Sequence, residues 1–206
     1  MHAGICPPVP AVCGDLRGYL AMALSKPAPR QHIHTRQITC EGFQREDGLW
    51  DIEATIIDRK TYSFANVERD GIAAGEPIHH MTVRITIGDD MVIREAEAET
   101  IGSPFGICVN GAPPVAGLKG LKLGPGWRNA VREVLGRTKG CTHIRDMVMG
   151  PLAQAAYQTI IPMRNRMNKD KPVTRKPAVL GTCVAYDPSS PIVKSMWPQF
   201  YEEEAE

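Results

Sequence analysis

The sequence predicts an α+β fold, an antiparallel β-sheet of two long hairpins packed against C-terminal helices. Three observations carry this expectation. Residues 32–64 and 79–101 alternate apolar and polar side chains with the period of two that a half-buried strand needs, and each stretch has a turn signal at its middle. The alternation stops near Pro104, and beyond residue 127 the apolar positions recur at helical spacing. Strands first and helices after them is the order of an α+β chain, not of a parallel βαβ one.

Residues 1–29 come first, with Pro7, Pro8, Pro10, Pro27 and Pro29 around one expected short helix at 15–24. They read as a Pro-rich arm that packs on the domain or on a neighbour. The first strand spans 32–45, turns at Glu46-Asp47-Gly48 and returns over 49–64. Trp50, Ile52, Ala54 and Ile56 share one face of the return strand, and Asp51, Glu53 and Thr55 the other. That turn places Arg36 opposite Asp58 and His34 opposite Lys60. Residues 65–77 form a polar, glycine-bearing loop, long enough to cover something.

The second hairpin runs from 79–87 through Gly88-Asp89-Asp90 to 91–101. Residues whose numbers add to about 179 are expected to face each other there. His79 then shares a face with Met81, Val83, Ile85 and Ile87. His80 joins Arg84 and the row Glu95, Glu97 and Glu99. Residues 105–126, rich in glycine and proline, read as irregular backbone, and their glycines form neither a G-x-G-x-x-G nor a Walker A loop. A short helix is predicted over 127–135, closed by Gly136. The main helix is predicted over 142–167, kinked or shortened at Pro151 and Pro162. Residues 168–206 read as an extended, Pro-rich and acidic tail. The organisation is thus an arm (1–29), a single α+β catalytic domain (30–167) and a tail (168–206).

Composition narrows the function. Twenty-four basic and 23 acidic residues give a net charge of +1, which asks for neither nucleic acid nor an anionic membrane as partner. The start of the chain has neither the charged n-region nor the apolar h-region of a signal peptide, so a soluble cytoplasmic protein is expected. Six cysteines lack any C-x-x-C pair and read as free thiols rather than as a disulfide framework or a zinc ribbon.

The candidate chemistry lies in histidines. His32, His34 and Arg36 share a strand face, and an Arg36–Asp58 pair could fix a neighbouring imidazole; a solvated polar face is the commoner outcome on an edge strand. His79, on an apolar face, is expected to be desolvated, neutral and able to accept a proton; the alternative is a core histidine satisfied by a backbone carbonyl. Gly140-Cys141-Thr142-His143 sets a thiol, a hydroxyl and an imidazole at a predicted helix start, with Asp146 expected in the first turn. A thiol there could be a nucleophile with a histidine as base, or could merely fill a small buried space. His34, His79 and His143 could together form a three-histidine metal shell, although no local spacing supports one.

The string His34-x-Arg36, Asp47-Gly48-x-Trp50-Asp51-Ile52-Glu53, Asp58-x-Lys60, Gly75-Glu76-x-x-His79-x-Met81 and Gly140-Cys141-Thr142-His143 resembles an uncharacterised bacterial domain family over about residues 30 to 162. Arg59 stands where that pattern has a small polar residue. The resemblance implies a bacterial, cytoplasmic protein in which His34, Arg36, His79, Cys141 and His143 belong to one site. It also suggests a setting in the catabolism of aromatic or acyl compounds.

The expected function is a small-molecule catabolic enzyme. The leading reading is a cofactor-independent lyase or isomerase that uses histidine acid/base chemistry on a small organic substrate, an aromatic one among the candidates. His79 or His34 would be the base, His143 the second acid/base and Cys141 a wall or auxiliary donor. Arg36, oriented by Asp58, would hold an anion or oxyanion, with Trp50 and Tyr62 as further substrate contacts. One alternative is a hydrolase or lyase with a divalent metal such as zinc on His34, His79 and His143. Another is a non-catalytic binding or assembly module whose open sheet face forms a homo-oligomer.

Overall fold

The computed structural model describes residues 24–168 and 173–203. Two units separate, Met1–Ile33 and His34–Glu206. The described part of the first, residues 24–33, carries neither helix nor strand. The helix expected at 15–24 lies, apart from Leu24, outside the described residues. So do Cys6, Cys13 and the last three residues of the acidic tail.

The second unit is built on one antiparallel sheet in the order β1-β2-β3-β4, comprising β1 (His34–Gln44), β2 (Trp50–Lys60), β3 (Pro77–Ile87) and β4 (Ile93–Gly102). The first hairpin has the expected register, with Arg36 opposite Asp58 and His34 opposite Lys60. Its turn closes because Gly48 takes a positive φ of 83°, while Asp47 accepts from Arg45 and from the Leu49 backbone N–H.

The second hairpin departs from expectation. Thr82 faces Glu99 and Arg84 faces Glu97, a slip of two residues from the expected pairing. The cause is a longer turn: Met91 adopts a φ of 65°, and Val92 leaves the ladder to bridge Lys122, so β4 starts at Ile93. A two-residue slip conserves the faces, and His80 still lies on the polar side.

Burial along β2 alternates as the pleat requires. Trp50, Ile52, Ala54 and Ile56 are buried, and the same parity carries Asp58 into the interior at the strand's end. Met81, Val83, Ile85 and Ile87 of β3 extend the apolar layer. The helices cover this face: α1 (Trp127–Leu135), α2 (Thr142–Met147) and α3 (Ala153–Met167). Val131, Leu135, Ile144, Met147, Ala156 and Ile160 supply their buried side chains.

The predicted 142–167 helix is continuous but re-phased. Pro151 sits inside a π turn at Val148–Leu152, and the wider turn accommodates a ring that an α-helix would drive into the preceding carbonyl. The backbone of β1 approaches α3 so closely at Gly42 that a Cβ there would lie 1.9 Å from Thr159 Oγ1.

The stretch read as an extended tail is not extended throughout. Its described residues include α4 (Pro191–Met196), whose first turn is capped by Ser190 Oγ accepting from the Val193 N–H, and Val193 is buried. A serine before a proline was the cap signal the sequence carried. Among the described residues no helix is long and apolar enough to cross a membrane.

Candidate active site

Three neighbouring strands put one residue each into a single row on the covered face: Arg36 of β1, Asp58 of β2 and His79 of β3. Asp58, only 2% exposed, is the hub. Arg36 grips both carboxylate oxygens through Nε and Nη2, each at 2.8 Å. His79 Nδ1 stands 3.0 Å from Oδ2, and His34 Nε2 stands 3.3 Å from Oδ1. From the other layer, α2 delivers His143 in its first turn, with Nε2 3.6 Å from the same Oδ2. The His79 and His143 rings lie against each other, centroids 3.8 Å apart at 31°.

Charge assignments follow from burial and partners. Burial pushes the Asp58 carboxyl up, but the Arg36 hydrogen bonds and charge, with His79 adding, prevail and hold it below its ordinary value. The carboxylate therefore stays ionised and can only accept. His79 Nδ1 must donate to it, which leaves the Nε2 lone pair on the far side of the ring. Burial first, then the nearby Arg36 charge, lowers the His79 pKa against the pull of Asp58. His143 is lowered by burial, by His79 and by Arg36. Both imidazoles are neutral at neutral pH.

Cys141, at the N-cap of α2, places Sγ 3.6 Å from His143 Nδ1 and 3.7 Å from Met81 Sδ. In the tautomer with the proton on Nε2, the His143 Nδ1 lone pair faces the thiol. His79, His143 and Cys141 open onto a cavity of about 500 Å³ whose apolar wall is Met81, Phe105 and Ile107. That volume suits a small organic molecule. Asn110 and Thr142 are among its polar lining.

The structure therefore brings His34, Arg36, Asp58, His79, Cys141 and His143 together, and it corrects several roles. Arg36 does not line the cavity. Two of its nitrogens, Nε and Nη2, are spent on holding the Asp58 carboxylate. Trp50 is a core residue at the opposite end of β2, its indole N–H donating to Asp89 Oδ1 at 2.9 Å. Tyr62 lies beyond β2 beside Phe64 with the Lys60 ammonium over its ring, and it too is off the cavity. Asp146 falls outside the first turn of α2 and pairs with Arg145.

The set that could hold a metal is also different. One ligand atom each from Asp58, His79 and His143 lies within 4.8 Å of the others, so a carboxylate replaces His34. A cation there would compete with Arg36 and His34 for the Asp58 oxygens those groups already occupy.

One feature of the site was legible in the sequence and one was not. Alternation from Trp50 already carried Asp58 onto the core face, and that signal was legible. The wall of Phe105 and Ile107 comes from an irregular stretch with no periodicity to read. Cys40, Cys108, Cys141 and Cys183 are free thiols, as cysteine spacing suggested.

Comparison with curated proteins and with solved structures finds no match. Residues 34–158, which span all six clustered residues, match a family described as "Protein of unknown function (DUF2889)", and the chain belongs to that family.

Proposed function

We propose that this chain is a cofactor-independent enzyme, a lyase or isomerase, that moves protons on a small, apolar or aromatic organic substrate. The observation that carries the reading is the Asp58–His79 pair on the cavity wall: a buried carboxylate fixes Nδ1–H and leaves Nε2 as a neutral base. His79 takes a proton from an acidic carbon. Asp58 stabilises the resulting imidazolium, and His143 exchanges the second proton. Met81, Phe105 and Ile107 seat the apolar body of the substrate. Each positioned acid/base group is worth roughly 10²–10⁴-fold in rate. A cytoplasmic location belongs to the same reading and is checked by cell fractionation.

The test is exchange of carbon-bound hydrogen in deuterated buffer, followed by NMR over a panel of small aryl and acyl carbonyl compounds. His79→Ala and His143→Ala should each abolish exchange while the melting temperature barely moves. Large melting shifts in both variants would instead mark structural histidines.

The grouping of Asp58, His79 and His143 favours one second reading, a metal-dependent hydrolase or lyase. Metal analysis of protein purified without a histidine tag separates the two. About one equivalent per chain supports the metal reading, and a clearly sub-stoichiometric content removes it.

A further inference from the structure

Proton transfer by His79 leaves one arrangement unused. Cys141 Sγ, His143 and Asp58 Oδ2 follow one another, with thiol to Nδ1 at 3.6 Å and Nε2 to carboxylate at 3.6 Å. A nucleophile within reach of a base, with that base oriented by a third group, is the arrangement that activates a side chain for covalent catalysis. The thiol faces the same cavity, next to the apolar wall of Phe105 and Ile107. Its position is set by close packing. A Cβ on Gly111 would lie 2.7 Å from Cys141 Cβ and 2.9 Å from its backbone nitrogen, so only glycine lets the two segments meet this closely.

We infer that Cys141 is an acyl-accepting nucleophile, and that the cavity takes esters or thioesters of small apolar acids. His143 Nδ1 removes the thiol proton, and the sulfur lone pair forms a bond to the acyl carbon. The alcohol or thiol leaving group departs with its bonding pair and takes the proton from His143. Water then gives a proton to His143 as its hydroxyl adds to the thioester carbon. The C–S bond breaks with its pair returning to sulfur, which recovers the proton, and the free acid leaves. This inference shares the cavity and His143 with the proton-transfer reading and does not depend on His79.

The probe is 4-nitrophenyl butyrate, applied to the full chain and read by intact mass and peptide mapping. In samples acid-quenched within the first turnover, before water cleaves the thioester, one butyryl group per chain is expected on Cys141, formed about 100-fold faster than on the exposed Cys183 of the same molecule. His143→Asn should slow it by a similar factor, and Cys141→Ala should remove it. Comparable labelling of Cys141 and Cys183 in the unaltered chain overturns the inference, whether or not the variants fold. So does labelling of Cys141 that His143→Asn leaves unchanged. Carbon–hydrogen exchange that persists without any Cys141 adduct sinks the acyl-enzyme alone and leaves the proton-transfer reading standing.

Discussion

Two ionic rows cross the same sheet on opposite faces, and they make a natural comparison. On the covered face Arg36, Asp58 and His79 join β1, β2 and β3; on the open face Glu53, Arg84 and Glu97 join β2, β3 and β4. Both arise from one rule, that directly opposed residues on adjacent strands touch. What differs is water. The Asp58 side chain is 3% exposed, whereas that of Glu97 is 64% exposed. On the open face, solvent and salt screen the pairing until it contributes little. On the covered face the carboxylate has no water to fall back on, so it relies on the two-pronged Arg36 contact, and burial keeps the His79 and His143 imidazoles neutral. Identical pairing chemistry gives a solvated surface row in one place and a desolvated carboxylate–imidazole cluster in the other.

Breaking the inner row should produce the largest effect. Asp58→Ala removes the buried acceptor shared by Arg36 and His79. Because the Arg36 side chain is 42% exposed and can be rehydrated, the change should cost about 1–3 kcal/mol in urea unfolding, the range for losing a charged hydrogen-bond partner. A loss below about 1 kcal/mol would mean the inner row is as wet as the outer one.

Acid should sharpen the contrast next. Above about pH 6.5 the imidazoles are neutral in folded and unfolded chains alike. Below it the unfolded chain binds protons that folded His79 and His143 resist, because burial lowers both. Stability must therefore fall as pH drops from about 6.5 through the folded values. Asp58 acts in the same direction further down, since its folded carboxyl lies below the ordinary value of about 3.9. Exposed carboxylates join in that lower range, so the imidazole window is the diagnostic one. A flat or rising urea midpoint from pH 6.5 down to pH 5 would contradict the assignment.

The smallest effect belongs to the open face. Arg84→Ala should change stability by no more than about 0.5 kcal/mol, and added salt should erase even that. A loss comparable to that of Asp58→Ala would show the open face to be covered in solution.

How far the sequence reached is visible in particular residues. A two-residue side-chain period and a short turn were enough to place Arg36 against Asp58, because a tight hairpin admits few registers. The second register slipped by two because Met91 and Val92 belong to the turn, a choice made by the bridge to Lys122 far along the chain. Trp50 looked like a ligand contact because aromatic side chains line pockets and cores alike. Its hydrogen bond to Asp89 pins one hairpin turn to the next strand pair, which residue type alone does not reveal. The tail looked extended because prolines and acids dominate it, yet one serine cap and one buried valine suffice for a short helix.

By itself, then, the sequence determined the α+β order, the faces of the strands and the helix ends, all of which depend on neighbours a few residues apart. Only the tertiary structure decided that Asp58 would be dry, that His143 would stack on His79 and that Arg36 would lie off the cavity. Those outcomes depend on which helix covers which end of the sheet. Desolvation and cross-layer contact are set by chain segments some 60 to 85 residues apart, and no local pattern encodes them.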